Sequence, residues 1–265
     1  MLSSATAEQL IAAVDQSPAL VKIHDRNRWC GLYATDGQIN DPVGSSPHNG
    51  RAAIEKFYDT FIAPNTIAFR VEHNVVCGMT VVCDLQIRTT MSTGVTLEVP
   101  MHLRYDLVQE GGVLKIRRLY AHWELPFMIG QLLRTGPKGW WTACKLGPQL
   151  IANQGMGGML GFMKGFLGHA RGGKKVAEKF LKAICAGDLN AAGNCLASNC
   201  ELELPFGESR PLADFAAPLR GVQWRKMLAA GNALTVTIQL GGRRGVALFR
   251  FDQGAGKISG VQVFV

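Results

Sequence analysis

Apolar and polar positions follow two successive rhythms along the first 124 residues. Residues 7 to 14 and 18 to 34 place apolar side chains at the three- and four-residue spacing of a helical face. Arg51 to Phe61 does the same with Ala53, Ile54, Phe57, Tyr58 and Phe61, which predicts a third helix. The rhythm then changes. Ile67–Val76, Met79–Thr90, Val95–Val108 and Val113–Glu124 are rich in β-branched residues, with turns at Met91 to Gly94 and Gln109 to Gly112. Helices followed by consecutive strands predict an α+β cone, its helices packed on a curved antiparallel sheet.

The second half repeats the order. Lys174 to Ala186 and Leu189 to Leu196 read as helices and Leu212 to Leu219 as a shorter one. Ala233–Leu240, Arg244–Asp252 and Lys257–Val265 read as strands. The segment Cys200-Glu-Leu-Glu-Leu-Pro-Phe-Gly207 parallels Gly37-Gln-Ile-Asn-Asp-Pro-Val-Gly44. The expected organisation is therefore a first cone over 1–124, a connector over 125–173 and a second, degenerate cone over 174–265. Such a tandem reads as an internal pseudo-dimer, or as a subunit of a homo-oligomer.

The connector has an unusual composition. From Leu125 to Val176 there is no Asp or Glu, while Arg134, Lys138, Lys145, Lys164, Arg171, Lys174 and Lys175 are spread through it. Large apolar residues cluster at Phe127-Met128-Ile129, Leu132-Leu133, Trp140-Trp141 and Met156 to Leu167, with Gly157, Gly161 and Gly165 at small-xxx-small spacing. No window is apolar and charge-free over the length a bilayer requires. Three readings stand: a basic amphipathic stretch in the interface of an anionic membrane, a helical pair packed on the two cones, or a lid over the first cup.

Composition narrows the class. The chain has 265 residues, long enough for two ordinary domains, with 47% hydrophobic and 18% charged residues, as in globular rather than disordered proteins. The net charge of +8 raises a nucleic-acid reading, but no arginine-rich arm, zinc spacing or interleaved aromatic and basic motif supports it. Seven cysteines at irregular spacings, without Cys-x-x-Cys, read as reduced thiols of a cytoplasmic, at most membrane-peripheral, protein. The N-terminus, with Glu8 and Asp15 in a helical pattern, does not read as a secretory signal.

The candidate chemistry lies at Asp41. Pro42 biases it toward an extended backbone and Gly44 lets the chain turn sharply, which fixes one carboxylate amid apolar surroundings. Desolvation there would raise its pKa toward that of a general base. Asp-Pro is also ordinary turn chemistry, so the dipeptide alone fits a purely structural role.

The longer stretch from Tyr33 to Tyr58 resembles the ketosteroid isomerase branch of the nuclear transport factor 2-like (SnoaL-like) cone folds. The matching segments are Tyr33-Ala-Thr-Asp-Gly-Gln-Ile-Asn-Asp-Pro-Val-Gly44 and Gly50-Arg-Ala-Ala-Ile-Glu-Lys-Phe-Tyr58. The resemblance covers residues 8 to 124 and implies that Asp41 is the proton-shuttling base, with Tyr33 and Tyr58 in a supporting hydrogen-bond network. It also implies a steroid-like ligand and neither cofactor nor metal. Two positions depart from the family. Its oxyanion-hole tyrosine falls near Ser17, and its protonated aspartic acid falls near Met101, which cannot donate a hydrogen bond. Substitute donors are Tyr58, ranked first, then His122, with Tyr105, Tyr120, His102 and Trp123 on neighbouring strand-like runs. In the second cone the base position falls on Leu204, and Glu203, one residue earlier, belongs to the opposite face.

The leading expectation is a proton-transfer isomerase acting on a hydrophobic polycyclic ketone, with Asp41 as base and Tyr58 at the enolate oxygen. The alternatives are a non-catalytic sterol or lipid carrier at a membrane surface, and a cone-fold hydrolase or dehydratase that pairs Asp41 with His102 or His122.

Overall fold

The computed structural model describes residues 5–144, 160, 170–252 and 256–265. The chain divides into two compact units, Met1–Phe166 and Leu167–Val265.

In the first unit, helix α1 (Ala7–Lys22) opens with a reciprocal capping box between Thr6 and Gln9 and runs on through Pro18. A single helical run over 18–34 does not form. The chain reverses at His24, where φ is 54°, and Asp25 caps a separate short helix, α2 (Arg26–Cys30), by accepting from the backbone N–H of Arg28. Tyr33 already belongs to strand β1 (Tyr33–Asn40). After the short β2 (His48–Asn49), α3 (Gly50–Phe57) continues into a wider helical turn over Tyr58–Ile62. Four long strands follow: β3 (Thr66–Cys77), β4 (Thr80–Thr90), β5 (Thr96–Glu110) and β6 (Val113–His122).

The sheet order is β2-β1-β6-β5-β4-β3. All neighbours pair antiparallel except β1 and β6, which run parallel, so the sheet is mixed where the sequence predicts an antiparallel one. The parallel pair carries a bulge between Tyr33 and Gln38. Gly37 permits it: a Cβ there would lie 2.8 Å from the Ala34 carbonyl oxygen. The core fills the cup between helices and sheet, with Leu10, Val14, Trp29, Ile54 and Tyr58 against Val81, Leu85, Leu103 and Leu119.

Two further helices close on the β4–β5 end of this unit. They are α4 (Leu125–Arg134) and α5, described over 137–144. Leu132 is fully buried with Val95 and Leu97. The Gln131 side chain pairs with the backbone of Glu98, accepting from its N–H at 2.9 Å and donating to its carbonyl at 3.3 Å. The hydroxyls of Thr142 and Thr93 are 2.7 Å apart. The turn between the helices is tight, with Gly136 at φ 75° and Gly139 against the Leu132 carbonyl. Residues 145–159 and 161–169, which hold the glycine ladder, lie outside the described residues, and the last residues of the expected connector already belong to a helix that begins at Ala170.

The second unit repeats the topology with shorter elements. Helices α6 (Ala170–Ala186), α7 (Leu189–Gly193) and α8 (Leu212–Ala216) pack on strands β7 (Leu196–Glu203), β8 (Gln223–Ala230), β9 (Ala233–Leu240), β10 (Arg243–Phe251) and β11 (Ile258–Phe264). The order is β7-β11-β10-β9-β8, and β7 pairs parallel with β11 as β1 does with β6. Helix α7 ends at Gly193, so Leu196 begins a strand and does not end a helix. Strand β8 escaped the sequence pattern because a bulge at Lys226, where φ is 48°, breaks its alternation. Among the described residues, no helix is long and apolar enough to cross a membrane.

Candidate active site

Asp41 follows directly on β1, at a turn whose Asp41–Pro42 peptide is cis and whose Gly44 has φ 96°. The turn is pinned from both sides. Val43 N–H donates to the Ala121 carbonyl on β6, and the Asn40 amide donates to the Ser45 carbonyl. The bulge in β1 sets which face the following residue presents, and the Asp41 carboxylate opens onto a cavity in the cup.

That cavity encloses about 190 Å³. A single water occupies roughly 10–15 Å³ on the same measure, so a multi-ring organic molecule fits. Its wall is mostly apolar and aromatic, with Trp29, Phe57, Phe61, Phe69, Val99, Met101, Leu103 and Leu119 among the lining residues. Among the described residues, Asp41 is the sole carboxylate in that lining, and no described Lys, Arg or His belongs to it. Met128 of α4 and Thr142 of α5 complete the wall, so these helices form part of the cavity.

The indole Nε1–H of Trp123 donates to Asp41 Oδ1 at 2.6 Å. Burial pushes the Asp41 carboxyl up to about 6, against the opposing pull of the Trp123 hydrogen bond. This is the balance a general base near neutral pH requires: basic enough to take a carbon-bound proton, yet ionised in most molecules.

Tyr105 lines the same cavity from β5, and its phenol lies within electrostatic reach of Asp41. Burial raises the phenol well above its ordinary value, while a hydrogen bond from Ser17 partly offsets this. Ser17 in turn accepts from Trp29 Nε1–H at 3.0 Å. Trp29 engages one of the two lone pairs of the Ser17 oxygen, and the Ser17 hydroxyl remains available to donate to the Tyr105 oxygen, an arrangement that leaves the Tyr105 O–H as a donor. Ser17 itself lines the chamber. Met101 lines it four residues before Tyr105 on the same strand face and offers no donor.

The remaining sequence candidates sit elsewhere. Tyr58 is buried against Trp29, with ring centroids 5.4 Å apart, but does not belong to the cavity lining. Its charged neighbours are Asp25, Asp59 and Arg26, not Asp41. Tyr33 lies behind the chamber within reach of both Tyr105 and Asp41. The hydroxyls of Tyr33 and Tyr58 have no hydrogen-bond partner among the described residues. His102 and His122 face each other across β5 and β6, with Asp84 opposite His102 on β4. Alternation puts all three on the sheet face opposite Met101, Leu103 and Tyr105. His102 Nε2 is 3.4 Å from Asp84, and burial lowers His122 to about 3, which keeps it neutral. An Asp41–His102 or Asp41–His122 pair therefore does not assemble, because the sheet separates the groups.

In the second unit Leu204 occupies the place of Asp41, before a Pro in cis and a Gly at φ 91°. Leu204 is buried in the apolar core. The Glu203 carboxylate accepts from Gly207 N–H and from the Gln262 amide, each at 2.9 Å, which commits it to holding the turn.

Ser17 with Trp29, and Trp123 as the partner of Asp41, are the members of the site whose roles sequence reasoning did not assign. The indole-to-carboxylate contact joins residues 82 apart in the chain, and no local pattern encodes it.

Residues 14–118 match the SnoaL-like domain family. Δ5-3-Ketosteroid isomerase from Mycobacterium sp. is similar at 28% identity, over 44% of this chain and 95% of that one, with a TM-score of 0.41. A Mycobacterium tuberculosis protein solved with estradiol-17beta-hemisuccinate gives the same four values. A computationally designed 17-OHP binder is similar at 25% identity, over 44% of this chain and 95% of that one, with a TM-score of 0.41. Within the first unit, residues 14–118 are thus similar to the SnoaL-like domain family.

Proposed function

We propose that the first unit catalyses proton transfer beside the carbonyl of a hydrophobic polycyclic ketone, an isomerisation of the ketosteroid type. The observation that carries this reading is the solitary carboxylate, raised to about 6, opening onto an apolar chamber that also holds a buried phenol. Asp41 takes a proton from the carbon next to the carbonyl and becomes neutral. The electron pair moves onto the carbonyl oxygen, where the Tyr105 hydroxyl donates a hydrogen bond to the developing charge. Asp41 then returns its proton to a different carbon of the same ligand face, so the ketone leaves as an isomer. Trp123 orients the carboxylate, and Ser17 with Trp29 holds the phenol in its donating orientation.

A second reading, a carrier that binds such a ketone without turning it over, draws on Met101. The chamber is apolar where a second donor would stand, and a single donor stabilises an enolate less than two. One assay separates the two readings. A Δ5-3-ketosteroid is supplied and the conjugated enone absorbance followed, with Asp41→Asn alongside. Turnover that disappears in the variant supports the isomerase. Binding without turnover in the unmutated chain supports the carrier, and undiminished turnover in Asp41→Asn overturns the role given to Asp41.

A further inference from the structure

The chamber is polar at both ends and apolar between them. Asp41 and Tyr105 stand at one end, where Val43 N–H reaches the Ala121 carbonyl and Ala121 pairs with Leu103. Asn65, Thr89, Ser92, Thr93 and Thr142 line the other. Asn65 directly precedes β3, Thr89 pairs with Ile67 and with Leu97, and Ser92 and Thr93 lie in the turn from β4 to β5. From Leu97 to Leu103 is roughly 20 Å of strand, and Val99 and Met101 line the stretch between. At the far end the atoms fix the direction of the hydrogen bonds. Thr142 Oγ1–H donates to the Lys138 carbonyl at 2.7 Å, and a carbonyl can only accept. Thr142 has no second hydroxyl hydrogen, so the 2.7 Å contact between the two threonines is a donation from Thr93 to Thr142. Thr93 then has lone pairs and no hydrogen to offer. Asn65 commits its Nδ2 to the Phe61 carbonyl at 2.8 Å, which leaves its amide oxygen as an acceptor.

We propose that this far end is a subsite for a hydroxyl group, so that the ligand is a polycyclic hydroxyketone whose hydroxyl lies remote from the carbonyl at Asp41. The subsite rests on the reading of the chamber as a site for a polycyclic ketone, but not on turnover. A ligand hydroxyl can donate to the Thr93 oxygen. A ligand carbonyl has no hydrogen to give and would set lone pair against lone pair. A ligand without oxygen there strips water from the Thr93 oxygen and returns nothing. The hydroxyls of Thr89 and Ser92 can serve either group, so the choice falls to Thr93. Thr142 belongs to α5, so the α4–α5 hairpin sets the polarity of the subsite by holding the Thr93 hydrogen.

The test measures binding to the full chain by quenching of tryptophan fluorescence, since Trp29 and Trp123 line the chamber. Three Δ4-3-ketosteroids are compared, bearing a 17β-hydroxyl, a 17-ketone or no oxygen at that carbon. Their double bond is already conjugated, so isomerisation does not confuse the reading. The hydroxyl ligand is expected to bind roughly 3–10-fold more tightly than either of the others. Thr93→Val should remove that preference. Thr142→Val frees the Thr93 hydrogen, so the ketone should then bind as well as the hydroxyl ligand. Circular dichroism checks that both variants are folded. Equal binding of the three ligands by the unmutated chain overturns the subsite alone. So does a preference that survives Thr93→Val, as it would if the variant only loosened the hairpin. A ketone that gains nothing in Thr142→Val overturns the direction assigned to the threonine pair. Binding of none of the three overturns the polycyclic-ketone reading itself, and the subsite with it.

Discussion

The Asp41 carboxyl has an energetic consequence that can be measured without any substrate. Its folded pKa of about 6 lies above the ordinary 3.8, so the folded chain holds this proton more tightly than the unfolded one. Stability therefore falls as pH rises through that window and stays lower above it, by on the order of 3 kcal/mol. Asp41→Asn keeps an oxygen for the Trp123 indole but never ionises. It is expected to unfold at a higher temperature than the unmutated chain at pH of about 8, and at nearly the same temperature at pH of about 4. Calorimetry at the two pH values checks this; a variant less stable at both would mean that Asp41 serves the turn alone. Activity should follow the ionised fraction, rising with pH through about 6 and then levelling. Trp123→Phe removes the bond that holds the carboxyl down, so the same kinetic pKa should move upward. Tyr105→Phe should lower turnover roughly 10²–10³-fold with little change in this profile. At this scale the base was legible because Asp-Pro-x-Gly is local turn chemistry. Its partners were not: Trp123, Ser17 and Trp29 converge only when strand and helices pack. The ranking of Tyr58 over Tyr105 reflects the same limit, since helical spacing shows that a residue is buried but not which cavity it borders.

Among the elements, the α4–α5 hairpin depends on one glycine. A Cβ at Gly139 would sit 1.9 Å from the Leu132 carbonyl oxygen, a backbone atom that cannot swing aside. Gly139→Ala is expected to cost about 1–3 kcal/mol of local packing and to loosen α5 from Thr93, while β1 and the Asp41 turn stay as they are. Hydrogen exchange resolved by segment would show protection lost over 137–144 and retained over β5 and β6. The long strands were legible from alternation and β-branched content, within a few residues at each end. The breaks at His24 and Lys226 were not, because both rest on non-glycine residues with positive φ, a choice imposed by packing that local sequence does not announce. The parallel pairing of β1 with β6 is likewise a property of two distant segments.

For the molecule as a whole, one strand order recurs in the two units. The two units share strand order and the parallel pair, but only the first carries a carboxylate immediately before the cis proline. Leu204→Asp would place an acid in a filled apolar core, not in an open chamber. It is expected to destabilise the second unit by several kcal/mol and to add no turnover, which denaturant unfolding and the enone assay together would show. The repeat itself was legible from element order, and the loss of the acid from one aligned segment.

The two turns also form a ruler with equal divisions. Asp41 stands sixteen residues after Asp25, the cap of α2, and Leu204 stands sixteen after Asp188, the cap of α7. The spacing from helix cap to turn is the same in both units, while the residue before the cis proline is an acid in one and a leucine in the other, so the chain contains its own control experiment. In one spectrum of one sample, amide signals around Gly44 should move with pH near 6, and those around Gly207 should stand still as the internal reference.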